Sequence, residues 1–393
     1  MAQWNRVPLI DYIELIGGGT PKTTVPEYWN GNIPWLSVKD FNNDKRYVYS
    51  TEKHISQSGF ENSPTKMLHK DDIIISARGT VGEIAMIPFD MAFNQSCYGI
   101  RASRGIDQPF LYYLLKNCIS QLKRMTHGSV FDTITRDTFA NIEVDIPDAE
   151  TQKRISSVLA DIDNKIEVND AINDNLEQQA QSYFQELFVD NADPEWTTGT
   201  ISDLGTVVGG STPSKAKPEY YTESGIAWIT PKDLSNNKSK FVSHGENDIT
   251  ELGLRNSSAS IMPEGTVLFS SRAPIGYIAI AAGEVTTNQG FKSVVPKPEI
   301  GTPFVYFFLK NTLPVIEGMA SGSTFKEVSG STMKNVPAVI PDAEILAKFS
   351  DFCAPIFAQQ RTLEEQNQSL AKLRDSLLPK LMSGEIDVSA VHL

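Results

Sequence analysis

The sequence predicts an α+β chain. Two similar mixed α/β globules alternate with two long helices that pair antiparallel as a coiled coil, giving an internal pseudo-two-fold. Three observations predict this. Ile155, Leu159, Ile162, Ile166, Asn169, Asn173, Leu176, Ala180, Tyr183 and Leu187 recur in alternating steps of four and three, the seam of an amphipathic helix. Adding 194 to each number finds a second seam: Phe349, Cys353, Ile356, Gln360, Leu363, Asn367, Leu370, Arg374, Leu377 and Leu381. The segments ahead of the two seams also repeat each other box by box.

Each seam follows Ile-Pro-Asp-Ala-Glu, at residues 146–150 and 340–344. Pro has no N–H to leave unsatisfied ahead of a helix, and the acids after it favour the positive end of the helix dipole. About forty residues at ~1.5 Å each make a rod of roughly 60 Å. Ser383-Gly384 reads as the stop of the second rod, and Pro355 and Pro379 are expected to interrupt and kink it. Asn173 and Asn367 sit at matching positions, where a polar residue fixes register. The rods are therefore expected to pair, through Ile155, Leu159, Ile162, Ile166, Asn173, Leu176 and Leu187 on the first and Ile356, Leu363, Asn367, Leu370, Leu377 and Leu381 on the second. The implied boundaries are a first globule over 1–145, a first helix over 146–194, a second globule over 195–339, and a second helix with a tail over 340–393.

With 393 residues, 40% apolar and 21% charged, the chain is long enough for two or three globular cores. Cys97, Cys118 and Cys353 match neither a disulfide framework nor a metal spacing, which fits a reducing cytoplasm. Residues 1–6 lack a basic stretch leading into an apolar core, and no apolar run approaches ~18 residues, so neither a secretory signal nor a membrane span is expected. The net charge of −13 is uneven: residues 151–194 hold nine acidic and three basic groups. A global acidic balance does not exclude a local basic face.

Within the globules, Gly17-Gly18-Gly19-Thr20-Pro21 matches Gly209-Gly210-Ser211-Thr212-Pro213, and Pro26-Glu27-Tyr28-Trp29 matches Pro218-Glu219-Tyr220-Tyr221. Trp35-Leu36-Ser37-Val38-Lys39-Asp40 meets Trp228-Ile229-Thr230-Pro231-Lys232-Asp233. Ser76-Ala77-Arg78-Gly79-Thr80-Val81-Gly82 meets Ser270-Ser271-Arg272-Ala273-Pro274-Ile275-Gly276, and Asn94-Gln95 and Gly128-Ser129 meet Asn288-Gln289 and Gly322-Ser323. Residues 73–76 and 267–270 read as buried strands with partners at 83–87 and 277–280. Residues 110–115 and 304–309 read as short helices on a sheet. The polar segments 41–70 and 234–262 diverge, as expected of two binding specificities on one scaffold.

Two motifs imitate enzymes. Asn32-Ile33-Pro34-Trp35 resembles the element with which amino-group methyltransferases hold a target nitrogen, but its counterpart Gly225-Ile226-Ala227-Trp228 lacks both Asn and Pro. Pro147-Asp148 with Asp163-Asn164-Lys165 has the spacing of a metal-dependent nuclease, but its counterpart is Phe357-Ala358-Gln359. A solvated helix face is the better reading of that trio. His54, His69, His127, His244 and His392 have no metal spacing. No catalytic residue and no metal site is expected.

Arg78 and Arg272 follow a central strand and are flanked by small residues. They suit a phosphate or base-edge contact, or else a structural ion pair. Lys39 and Lys232 carry the same two readings. Asn94, Gln95, Asn288 and Gln289 could bond base edges or cap turns. Lys45, Arg46, Lys215, Lys217, Lys238 and Lys240 form the best local electrostatic footprint.

Together, the Gly-rich Thr-Pro element, the Pro-Glu-Tyr box, Ser-x-Arg-x-x-x-Gly, Ile-Pro before each helix and the tail from Leu381 to Val388 resemble the specificity subunit of a type I restriction-modification enzyme. The resemblance covers almost the whole chain. It implies two target recognition domains, each reading one half of a split double-stranded DNA sequence. The helices between them would act as a ruler and dock two modification (methyltransferase) subunits, with restriction subunits joining the same complex. S-adenosylmethionine, ATP and Mg are then expected on partner subunits only, and no cofactor on this chain. The rivals are a tandem-repeat protein-binding scaffold without DNA recognition and a self-contained methyltransferase.

Overall fold

The computed structural model describes residues 4–126, 133–322 and 326–391. The repeat at Gly128-Ser129 and Ser323, together with His127 and His392, lies outside them. The chain forms two compact units, residues 1–168 with 367–393, and residues 169–366. Each unit holds one globular head and one half of each long helix, so this division cuts through both helices.

In the first unit a four-stranded antiparallel sheet runs in the order Ile13–Gly17, Cys97–Ala102, Ile73–Ser76, Ile84–Met86. Strand Ile73–Ser76 is apolar without alternation because both of its faces are covered. Ile73 and Ile75 enter the core under the helix Gln108–Thr126, while Ile74 enters the core shared with a second sheet. That second sheet orders Lys53–Ile55, Trp29–Leu36, Met91–Phe93 and Met67–Leu68. The head helix is longer than its expected six residues. Its Phe110, Leu111, Tyr113 and Leu115 are fully buried.

The second unit repeats the plan with Gly205–Gly209, Lys292–Pro296, Val267–Ser271 and Ile275–Ala281, and adds Phe241–Val242 as a fifth, parallel strand. In the first unit the same position is a single bridge, Tyr47 to Met86. Its helix Thr302–Met319 buries Phe304, Val305, Tyr306 and Phe307.

Each head is closed by a strand pair that periodicity does not reveal. Asn5–Pro8 pairs antiparallel with Glu143–Ile146, and Thr197–Thr200 with Pro337–Ile340. Ile146 and Ile340 therefore end strands, and the long helices begin three residues later, at Ala149 and Ala343. Asp148 caps the first helix by accepting from Glu150 N at 3.1 Å and Thr151 N at 2.9 Å.

The first long helix spans Ala149–Gln185 and passes into a π-helical turn, Glu186–Asp190. The second spans Ala343–Met382 without interruption, correcting the expectation that Pro355 and Pro379 interrupt it. Both prolines are exposed, so each ring lies on the solvent side of the helix, where a carbonyl left without an N–H partner can bond water. The stop is as expected: Ser383 N reaches Pro379 O, and Gly384 takes φ 73°.

In the first unit the helix halves run antiparallel, with Asp163 against Arg374 and Arg154 against the carbonyls of Val388 and Ser389. The tail folds back on the head, burying Val388 in its core, and Gly384 lies so close to Trp4 that a Cβ would meet Nε1 at 2.8 Å. In the second unit Asn169 Nδ2 donates to Gln366 Oε1 at 2.7 Å, Gln360 Nε2 to Asn173 O at 3.2 Å, and Tyr183 lies on Phe349. Numbering again falls on one helix as it rises on the other.

The seam faces the heads as well as the partner helix. Ile155, Leu159 and Leu381 belong to the first head's core and Ile356 to the second's. Leu363 is buried, and Ile162, Ile166, Asn173, Leu176, Leu187, Asn367, Leu370 and Leu377 are half-buried. Among the described residues, no helix is long and apolar enough to cross a membrane, and no group of three or more His, Cys, Asp or Glu could hold a metal. Burial pushes the Cys97 and Cys353 thiols up to about 12 and that of Cys118 up to about 11, which leaves them poor nucleophiles.

Candidate nucleic-acid interface

Backbone bonds draw the repeated boxes of each head onto one loop edge. In the first head Gly19 N donates to Phe93 O, Asn94 N to Leu36 O, Ala77 N and Arg78 N to Ser96 O, and Ile134 N to Ala77 O. The second head repeats the web: Ser211 N to Thr287 O, Asn288 N to Ile229 O, Ser271 N to Gly290 O, and Val328 N to Ser271 O.

The repeated residues of the boxes build this edge. A Cβ on Gly18 would fall 2.1 Å from Asn94 O, and one on Gly210 would fall 1.9 Å from Asn288 O. Only glycine lets the two backbones meet there. Trp35 Nε1 donates to Gly19 O at 3.1 Å and Trp228 Nε1 to Ser211 O at 2.9 Å. The tryptophan of the methyltransferase-like motif is thus a structural tie. Ser76 Oγ bonds Thr80 O and receives Glu83 N, as Ser270 Oγ bonds Pro274 O and receives Tyr277 N.

The candidate side chains fall into three groups. Asn94 Oδ1 accepts from Ser96 N at 3.1 Å and Asn288 Oδ1 from Gly290 N at 2.8 Å, so both asparagines cap turns. Gln95 and Gln289 are exposed, and each accepts the hydroxyl proton of its box threonine, Thr20 or Thr212. Among the described residues their amide nitrogens stay available as donors. Lys39 and Lys232 ride on short helices capped by Asp40 and Asp233. Lys39 is exposed, and Lys232 pairs with Glu246 at 2.6 Å on the surface, a contact worth little in water.

Arg78 is exposed and has no side-chain partner among the described residues. Arg272 meets Glu327 at 3.3 Å, and Lys292, which sequence reasoning passed over, approaches the same carboxylate at 3.9 Å. The corresponding first-head positions are Tyr98 and Thr133. One backbone frame thus presents Arg, Tyr and Thr in one head and Arg, Lys and Glu in the other. Lys45, Lys215, Lys217 and Lys238 are exposed, and Lys217 lies 3.6 Å from Glu219.

Arg46 and Lys240 correct the electrostatic footprint. Both are 7% exposed and turned onto the first long helix. Arg46 Nη1 donates to Asn164 Oδ1 at 3.3 Å, with its guanidinium 5.0 Å from the Tyr47 ring centroid. Lys240 Nζ donates to Glu177 at 2.7 Å and Gln360 at 2.9 Å, and lies 3.5 Å from the Phe357 ring centroid. Their carbonyls accept from Met86 N and Ile280 N, so each residue belongs to an edge segment pinned under a helix. Lys310 joins Glu177 at 2.5 Å. Burial pushes the Glu177 carboxyl up, but Lys240 and Lys310 outweigh it and bring it down to about 2.

The nuclease-like trio is corrected in the same way. Asp163 is 3% exposed, not solvated, because Arg374 and Tyr113 hold its two oxygens at 2.9 and 2.6 Å.

A family model described as the type I restriction modification DNA specificity domain matches residues 1–178 and again 194–371. The chain is 26% identical to the type I restriction enzyme MjaIX specificity subunit of Methanocaldococcus jannaschii, over 98% of this chain and 94% of that one. It is 25% identical to the HindI specificity subunit of Haemophilus influenzae, over 70% of this chain and 77% of that one. The fold is that of the type I restriction-modification S subunit crystallised from M. genitalium, with TM-score 0.57 and 16% identity over 97% of this chain and 96% of that one.

Proposed function

The chain belongs to the type I restriction-modification DNA specificity family, and on that premise we propose that it is the non-catalytic subunit that tells such a complex where to act. Each head, with its surrounding segments 1–145 and 195–339, reads one half of a bipartite duplex target through its loop edge. The helical segments 146–194 and 340–393 set the gap between the halves and dock two modification subunits, and restriction subunits join the same cytoplasmic assembly. S-adenosylmethionine, ATP and Mg serve those partners, not this chain.

The observation that carries the reading is the pair of loop edges, alike in backbone and different in side chains. Arg78 with Tyr98 and Thr133, against Arg272 with Lys292 and Glu327, is what two half-site specificities on one frame require. The acidic first helix suits a protein partner better than phosphate, so the chain alone is expected to bind DNA weakly.

Mapping methylated adenines in the host genome with and without this chain tests the proposal. A split motif that disappears with the chain supports it; an unchanged methylation map contradicts it. A scaffold that binds only proteins would keep its binding when Arg78 and Arg272 are neutralised.

A further inference from the structure

The two loop edges differ in one electrostatic respect. Glu327 stands between two cations, Arg272 on the loop after Val267–Ser271 and Lys292 at the start of the next strand. Lys292 is only 15% exposed and is held by the carbonyls of Gln289 and Phe291, each at 3.3 Å, so it cannot swing away without losing those bonds. Glu327 is itself fixed by its backbone, which exchanges two hydrogen bonds with Ser321. Beside the trio lies a cavity of about 620 Å³ bordered by Arg272, Pro274, Glu317, Lys326 and Glu327. In the first head Thr133 takes the place of Glu327 and forms a backbone bridge with Arg78.

We propose that Glu327 is a built-in stand-in for a DNA backbone phosphate, occupying the Arg272–Lys292 anion site of the second head until duplex displaces it. The inference rests on the DNA-reading function proposed above. A phosphate oxygen accepts from a guanidinium and an ammonium as a carboxylate oxygen does, and the cavity gives the displaced side chain room. Binding at the second head therefore includes breaking an internal ion pair, whereas Arg78 of the first head has no competing carboxylate among the described residues. The device raises the discrimination of the second head, because only a duplex that makes its other contacts compensates the exchange.

The test uses the chain assembled with its modification subunits and a duplex carrying the mapped target, with inorganic phosphate at matched ionic strength as a second probe. Glu327→Gln, and independently Glu327→Thr to copy the first head, are expected to raise duplex affinity several-fold. Adding Arg272→Ala should abolish the gain, and Thr133→Glu alone should weaken duplex binding relative to wild type.

Unchanged or weakened binding in both Glu327 variants, with wild-type binding intact, would overturn the inference and leave a structural ion pair. Competition by inorganic phosphate as strong as that by duplex would also overturn it, showing a general anion site. Failure of the wild-type complex to bind its duplex is the distinct result that defeats the underlying function.

Discussion

Arg374 of the second long helix places Nη1 2.9 Å from Asp163 Oδ1 on the first, with both side chains 4% exposed. Its other nitrogen reaches Asp44 of the head at 2.7 Å, and Asp44 also takes Lys116 at 2.8 Å. Burial pushes the Asp44 carboxyl up, but Lys116 and Arg374 outweigh it and hold it below its ordinary range. One guanidinium thus ties helix, helix and head within the first unit. Removing one partner of a buried pair strands the other charge. Arg374→Met is expected to cost about 3–5 kcal/mol in urea unfolding, and adding Asp163→Leu to recover most of it. Additive losses would show that the pair is not coupled.

In the second unit the corresponding tie is Glu177 with Lys240 and Lys310, and it carries a pH signature. The folded carboxyl lies at about 2, below its unfolded value of about 4.3. Its contribution is present above the unfolded value and fades as pH falls from there toward the folded one. Glu177→Gln should flatten the stability profile in that acid window and lower stability at pH 7. Parallel profiles for variant and wild type would contradict the assignment.

Lys240 also separates a structural cation from a DNA contact. Lys240→Gln should reduce stability but leave the salt dependence of DNA binding unchanged. Neutralising exposed Lys215 and Lys238 together should make that dependence shallower. A change of slope for Lys240→Gln would restore it to the interface.

Arg78→Ala should weaken binding by about 1–3 kcal/mol if the guanidinium reads a base, with relaxed preference confined to the first head's half-site. If it holds a phosphate, the loss should be sequence-independent, with the salt slope reduced by about one. Equal binding by mutant and wild type excludes both.

Much of this architecture was legible in the sequence because its signals are local or periodic. The seam from Ile155 to Leu187, its copy from Phe349 to Leu381, and the boxes around Arg78 and Arg272 recur at nearly fixed spacing. What sequence could not show depends on contacts between distant residues. The strand Asn5–Pro8 meets Glu143–Ile146, and no window contains both. Arg46 and Lys240 looked like members of a basic surface because charge along a chain does not say which side faces a helix. Asp163 looked solvated because its partner, Arg374, lies 211 residues away. Lys292 was missed because its neighbour Glu327 arrives from another loop. The glycines of the Gly-rich box were visible, but their purpose, contact with the Asn94 and Asn288 carbonyls, emerged only from the fold.

The most direct test of the account lengthens both helices together. One heptad added near Asn169 and one near Gln366 preserves antiparallel pairing and adds about 10 Å, or about three base pairs of duplex. The methylation map of a host carrying this variant is then read. The account predicts unchanged half-sites separated by a gap longer by about three base pairs; the same half-sites at the original gap would contradict it.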